Sequence, residues 1–121
     1  MKAASVLVVD DEQINAEIII RNFALKGHRG IAALDAEQAV AKLAAGTYDL
    51  VLLDHILPGI TGMQALDRLK RLTQAPIYMM SGYSGEETRR DAVLLGAAGF
   101  FPKPLDIPAI LAVLDALPER P

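Results

Sequence analysis

The chain contains no cysteine, which excludes disulfides and thiolate metal sites and fits a reducing cytosol, the compartment expected for it. It has no apolar run approaching the roughly 20 residues that a membrane helix needs. Its first apolar run, Val6–Val9, ends in two acids rather than in a signal-peptide cleavage site. The sequence is therefore read as untargeted and not membrane-bound. Surplus positive charge is also missing: the formal net charge is −3, and the basic clusters are only Arg68/Lys70/Arg71 and Arg89/Arg90. Direct nucleic acid binding is not expected, and solvated helix faces explain those clusters. No G-x-G-x-x-G follows the first strand-like run, where Asp10-Asp11 would repel a pyrophosphate, which argues against a dinucleotide-binding Rossmann domain. Low-complexity tracts, linkers and repeats are absent too. What is there is 121 residues, 52% hydrophobic and 22% charged, the composition of one compact soluble domain over 1–121. The chain stops soon after its last helical pattern, so no output domain is expected within it.

Apolar strand-like runs alternate with helical patterns five times, the signature of βαβ units around a parallel sheet. The first strand is expected over Ser5–Asp10, nearly all Val and Leu as a strand buried on both faces should be. A helix from about Ile14 to Lys26 follows, with Ile14, Ile18 and Leu25 along one stripe and Gly27 placed to end it. Strand two, Arg29–Ala33, is weakly patterned and reads as an edge. Asp35 can cap helix two, whose Ala39, Val40 and Leu43 face inward before Gly46. Strand three is expected over Tyr48–Leu53, helix three from Gly62 to Leu72 on Met63, Leu66 and Leu69, and strand four over Ile77–Met80. Helix four spans about Glu86–Leu95 and is closed by Gly96. Strand five is Gly99–Phe101, and Asp106 can cap a final helix that buries Ile107, Ile110, Leu111, Leu114 and Leu117.

Four of the apolar runs stop at polar residues of different kinds: Asp10-Asp11, Asp54, Ser81 and Lys103. If the runs are neighbouring parallel strands, their carboxyl ends share the sheet edge where open α/β folds place their chemistry. Asp54, at the end of its strand, is the nucleophile candidate, because carboxylates form acyl phosphates and a nearby cation would shield the attack of one anion on another. Asp10 and Asp11 suit a hard cation, although one of them alone would serve as a helix cap. Lys103, flanked by Pro102 and Pro104, can hold a phosphoryl oxygen, and Ser81 can donate to the same oxygen. Three carboxylates against one lysine leave about two uncompensated charges, which calls for protons or a cation. With oxygen ligands only, Mg²⁺ fits best.

These motifs together resemble a response-regulator receiver domain of bacterial two-component signalling. The carriers are Asp10-Asp11, the segment Asp54-His55-Ile56-Leu57-Pro58-Gly59 with Gly62 beyond it, Ser81-Gly82, and Phe100-Phe101-Pro102-Lys103-Pro104. The resemblance covers essentially the whole chain. It implies a flavodoxin-like (βα)5 fold with a doubly wound parallel sheet in strand order 2-1-3-4-5. It implies that Asp54 accepts a phosphoryl group from a histidine kinase or histidine phosphotransfer protein. Mg²⁺ would be held by Asp10, Asp11, Asp54 and the carbonyl of Ile56. Ser81 would move to the phosphoryl group and Phe100 would turn inward, changing the helix-four, strand-five and helix-five surface. The Lys103-Pro104 bond is expected to be cis. Departures are small: Ser81 stands where Thr is more frequent, Leu57 where Met is common, Thr61 where an acid is often seen. Ile56 and Tyr83 fall where the family tunes its reset rate.

A phosphatase acting on small phosphoesters would share the strand-end Asp and the cation, but it would need a general acid two residues on, where Ile56 stands. A binding module that switches without phosphorylation would not need the intact acids, hydroxyl and lysine. The expected role is therefore a regulatory phosphoacceptor, not an enzyme acting on other substrates. Helix one carries Ile18-Ile19-Ile20, and Ile107–Leu114 has no charged residue. Helices one and five are thus a candidate face for partner docking or homodimer formation.

Overall fold

A computed structural model of the chain describes residues 1–82 and 85–119. Five strands and five helices alternate strictly: β1 Ser5–Val9, α1 Gln13–Ala24, β2 Arg29–Ala33, α2 Ala36–Ala45, β3 Leu50–Asp54, α3 Gly62–Lys70, β4 Ile77–Ser81, α4 Glu86–Leu94, β5 Gly99–Pro102 and α5 Ile107–Ala116. All strands are parallel, in the order β2-β1-β3-β4-β5. The expected architecture and topology are both present, and β2 is an edge strand, as its weak pattern implied. No helix among the described residues is long and apolar enough to cross a membrane.

Strict alternation along each buried strand feeds two cores, one on each face of the sheet. Leu7, Val9, Val51, Leu53, Met79 and Phe100 point to one face and pack under α2, α3 and α4 through Ala39, Leu43, Leu66, Leu69 and Ala92. Val6, Val8, Leu50, Leu52, Met80 and Phe101 point to the other, under α1 and α5 through Ala16, Phe23, Ile110 and Leu114. Burying both sheet faces accounts for the almost unbroken apolar runs.

Local signals set the helix ends. Asp35 accepts the Gln38 N–H at 2.7 Å and Asp106 accepts the Ala109 N–H at 3.2 Å, the two expected caps. Thr61 and Gln64 form a reciprocal capping box at the start of α3. Gly27 takes φ +84°, the left-handed turn that lets the chain leave α1 and enter β2.

Boundaries moved in several places. β1 ends at Val9 and β3 is Leu50–Asp54 rather than Tyr48–Leu53, so Asp54 itself lies within the strand. β4 extends to Ser81, β5 extends to Pro102, and α3 closes at Lys70. The larger correction is α1. Its buried residues are Ala16, Ile19 and Phe23, while Ile14, Ile18 and Leu25 are 73%, 51% and 78% exposed. At about 100° per residue the two stripes lie on nearly opposite sides of the helix. Both are apolar, and the one with the alanine permits the closer approach to the sheet. On α5, Ile110 and Leu114 are fully buried, while Ile107, Leu111 and Leu117 are only partly covered.

Candidate functional site

The carboxyl ends of β1, β3, β4 and β5 bring the predicted residues into one pocket. Parallel register accounts for this: Val9 is level with Leu53, Asp54 with Met80, and Ser81 with Pro102. Each chain therefore leaves the sheet at about the same height. The Lys103 N–H donates to the Ser81 carbonyl at 2.8 Å, which ties the exits of β4 and β5 together.

Asp10 is fully buried, Asp54 is 5% exposed, and Asp11 stands in solvent at the rim. One carboxylate oxygen from each of the three lies within 4.8 Å of the others. Lys103 Nζ sits 3.2 Å from Asp54 Oδ2 and 3.8 Å from Asp10 Oδ2. Asp10 Oδ1 accepts the Glu12 N–H at 2.9 Å, whereas Asp10 Oδ2 is buried with no hydrogen-bond partner. The N-cap of α1 is Glu12 and no side chain caps it, so neither acid is spent on capping. Asp54 Oδ1 is 3.4 Å from the Ile56 N–H, a long contact.

The electrostatics follow from that crowding. Burial, reinforced by the neighbouring Asp54 carboxylate, pushes Asp10 up from the ordinary value near 3.8 to about 6, against the opposing pull of the Glu12 N–H and Lys103. A buried carboxylate with one oxygen free of hydrogen bonds, two further carboxylates in reach and oxygen-only donors is a fit for a hard divalent cation.

The segment after Asp54 doubles back. Ile56 bridges Thr61, and the Gly62 N–H donates to the His55 carbonyl at 2.6 Å. A Cβ at Gly62 would collide with the Asp54 carbonyl oxygen and the His55 Cα, so any other residue would force the returning backbone to shift. Ser81 is 1% exposed and its Oγ lies 3.1 Å from His55 Nδ1. Phe100 is 8% exposed, and the Arg89 guanidinium of α4 lies over its ring at 5.6 Å. The Lys103-Pro104 bond is cis, as expected. Tyr83 lies outside the described residues.

The sequence reading did not anticipate the His55 contact or the Arg89 contact, because neither pair is set by strand or helix periodicity. It also missed a cavity of about 530 Å³ beside the pocket, lined by Asp10, Asn15, Ile18, Lys103, Leu105 and Ile107 among others. Ile18-Ile19-Ile20 divides accordingly: Ile18 is exposed on this cavity, Ile19 is buried and Ile20 half-buried.

Residues 6–115 match the family described as the response regulator receiver domain. The chain belongs to that family. Receiver domains are the regulatory phosphoacceptor switches of two-component systems. The transcriptional regulatory protein YvrH of Bacillus subtilis is 31% identical over 107 residues, 88% of this chain and 45% of that protein. The chain thus spans less than half of that relative's length. A response regulator structure from Burkholderia pseudomallei with a phosphorylated aspartic acid, calcium ion and citrate superposes with a TM-score of 0.85 at 26% identity, covering 93% of this chain and 66% of that one. The CheX-CheY-BeF3-Mg complex of Borrelia burgdorferi gives 0.82 at 30% identity, over 91% of this receiver and 85% of the matched chain.

Proposed function

We propose that Asp54 is the phosphoacceptor of this receiver and takes its phosphoryl group from a histidine kinase or histidine phosphotransfer protein. The observation that carries the reading is the convergence of Asp10, Asp11 and Asp54 with Lys103 at one sheet edge, with Asp10 Oδ2 buried and without a hydrogen-bond partner. Calcium beside a phosphorylated aspartic acid in the Burkholderia structure and Mg with BeF3 in the Borrelia complex support the same chemistry here.

A carboxylate oxygen of Asp54 attacks the donor phosphorus in line, an acyl phosphate bond forms, and the bond from phosphorus to the donor nitrogen breaks, leaving the electron pair on the imidazole. Lys103, already paired with Asp54, offers an ammonium to a phosphoryl oxygen. Asp10, Asp11, Asp54 and the Ile56 carbonyl would hold Mg²⁺, which supplies positive charge that offsets the repulsion between the carboxylate and the incoming anion. Ser81 donates to the phosphoryl group, and Phe100, already packed inside under α4, registers the change on the surface formed by α4, β5 and α5. Hydrolysis of the acyl phosphate resets the site. Ile56, exposed two residues after Asp54, offers no general acid for an alcohol leaving group, which favours a switch over a phosphoesterase.

The cavity between α1 and the segment after β5 is open beside the pocket and edged with apolar side chains, and it suits docking of the phosphodonor against α1 and α5. A homodimer through the same helices is the other use of that face. The reaction is placed in the cytoplasm, in keeping with a chain free of cysteine.

The test is intact-protein mass after incubation with acetyl phosphate, with and without Mg²⁺, on wild type and Asp54→Asn. A Mg²⁺-dependent phosphoryl adduct that vanishes in the variant is expected. An adduct retained by Asp54→Asn, or none on wild type, overturns the assignment.

A further inference from the structure

Ser81 ends β4 in almost complete burial, with its hydroxyl 3.1 Å from Nδ1 of His55. The root of the imidazole is fixed on both sides. The His55 N–H donates to the Met80 carbonyl at 2.9 Å, and the His55 carbonyl accepts the Gly62 N–H at 2.6 Å. The hydroxyl's own backbone is fixed as well, since the Ser81 carbonyl takes the Lys103 N–H. The contact therefore joins two anchored residues, one directly after the reactive carboxylate and one at the neighbouring strand exit.

We infer that His55, in its Nε2-protonated tautomer, is a positioning residue for the switch hydroxyl: Nδ1 accepts the Ser81 hydrogen in the unphosphorylated protein, and a phosphoryl oxygen has to compete for it. The inference rests on the reading of Asp54 as phosphoacceptor. Serine makes such a restraint necessary. A threonine has a stiff χ1 set by its branched Cβ, whereas the rotor of serine is chosen by whatever it hydrogen-bonds. The hydroxyl owns one hydrogen, so donating fully to a phosphoryl oxygen means withdrawing it from Nδ1. The exchange is favourable because a bond to an anionic oxygen is about twice as strong as a neutral one. It is nevertheless reduced by the bond given up. His55 thus raises the threshold for switching, and no covalent bond changes in the process.

Removing the acceptor should remove that threshold. One neutral hydrogen bond corresponds to about a three- to tenfold change in an equilibrium constant. His55→Leu is expected to bind beryllofluoride, a phosphoryl mimic, about three- to tenfold more tightly than wild type in saturating Mg²⁺. His55→Asn, which returns a polar atom near the place of Nδ1, should stay near wild type. In the Ser81→Ala background the His55→Leu gain should disappear, which an effect on general packing would not do. If His55→Leu does not fold, His55→Phe replaces it. Without metal, the ¹⁵N resonance of His55 Nδ1 should move on Ser81→Ala.

Equal or weaker beryllofluoride binding by His55→Leu overturns the inference, as does a gain that persists without the hydroxyl or an Nδ1 resonance that does not move. A wild type that binds beryllofluoride normally while these changes fail sinks the His55 role alone. A wild type that takes neither beryllofluoride nor acetyl phosphate sinks the phosphoacceptor reading and the inference with it.

Discussion

Neutralising Asp10 should stabilise the metal-free protein while destroying its response to Mg²⁺. The carboxyl is fully buried, one of its oxygens has no hydrogen-bond partner, and its pKa sits near 6 instead of 3.8. A shift of about two units costs the folded, ionised form about 3 kcal/mol at pH 7. The sign follows from proton binding: between the two values the folded state holds the proton more tightly than the unfolded chain. Stability from this group is therefore complete below about pH 4, is lost as pH rises through 6, and stays lost above it. In Asp10→Asn the side-chain oxygen still accepts the Glu12 N–H, and a neutral amide group replaces the buried Oδ2 that has no hydrogen bond. Urea unfolding in the absence of metal should show the variant about 1–3 kcal/mol more stable than wild type at pH 7, with the gain shrinking to about 0.5 kcal/mol at pH 4. At a hundredfold excess of Mg²⁺ over its Kd, wild type should gain about 2.7 kcal/mol and Asp10→Asn far less. A variant destabilised equally at both pH values, or one that responds to Mg²⁺ as wild type does, would refute the reasoning.

Lys103→Gln removes the ammonium from Asp54 and should slow labelling by acetyl phosphate about 10- to 100-fold, read by intact mass, with the fold retained by circular dichroism. Gly62→Ala puts a methyl group against the Asp54 carbonyl and should cost about 1–3 kcal/mol in urea unfolding. Ile18→Lys, at an exposed position on the cavity beside the pocket, should leave stability within about 0.5 kcal/mol and acetyl phosphate labelling unchanged, yet slow transfer from a phosphorylated histidine donor. Ile19→Lys, one residue further on but 3% exposed, should unfold the domain instead, which denaturation curves will show directly.

Strand ends were the legible part of the sequence. A run such as Leu50–Leu53 can lie only in the sheet interior, so the acid that ends it must surface at the rim, and the same reasoning places Asp10, Ser81 and Lys103 from the sequence alone. The face of α1 was not legible in this way. Periodicity reports that a stripe is apolar, but Ile14-Ile18-Leu25 and Ala16-Ile19-Phe23 both satisfy it, and the close approach allowed by Ala16 decides between them. The Thr61-x-x-Gln64 box is legible from residue spacing alone, since a Thr followed three residues later by Gln before an apolar stripe marks a helix start. The Glu37–Arg68 pair between α2 and α3, at 2.7 Å, joins residues 31 apart and depends on how two helices lie side by side. The His55–Ser81 contact is of the same kind, set by the return of the chain through Gly62.

Asp10, Asp11, Asp54, Ser81 and Lys103 all sit at one rim of the sheet, and two turns at the opposite rim stand well away from them. Gly46–Tyr48 and Thr73–Ala75 line a shared surface hollow there. A five-residue strand separates this end from the pocket by about 17 Å. Dyes, affinity handles or short insertions placed at these turns would report on or tether the protein without entering the carboxylate cluster, giving an engineer a side of the molecule to work on while the switch keeps its chemistry.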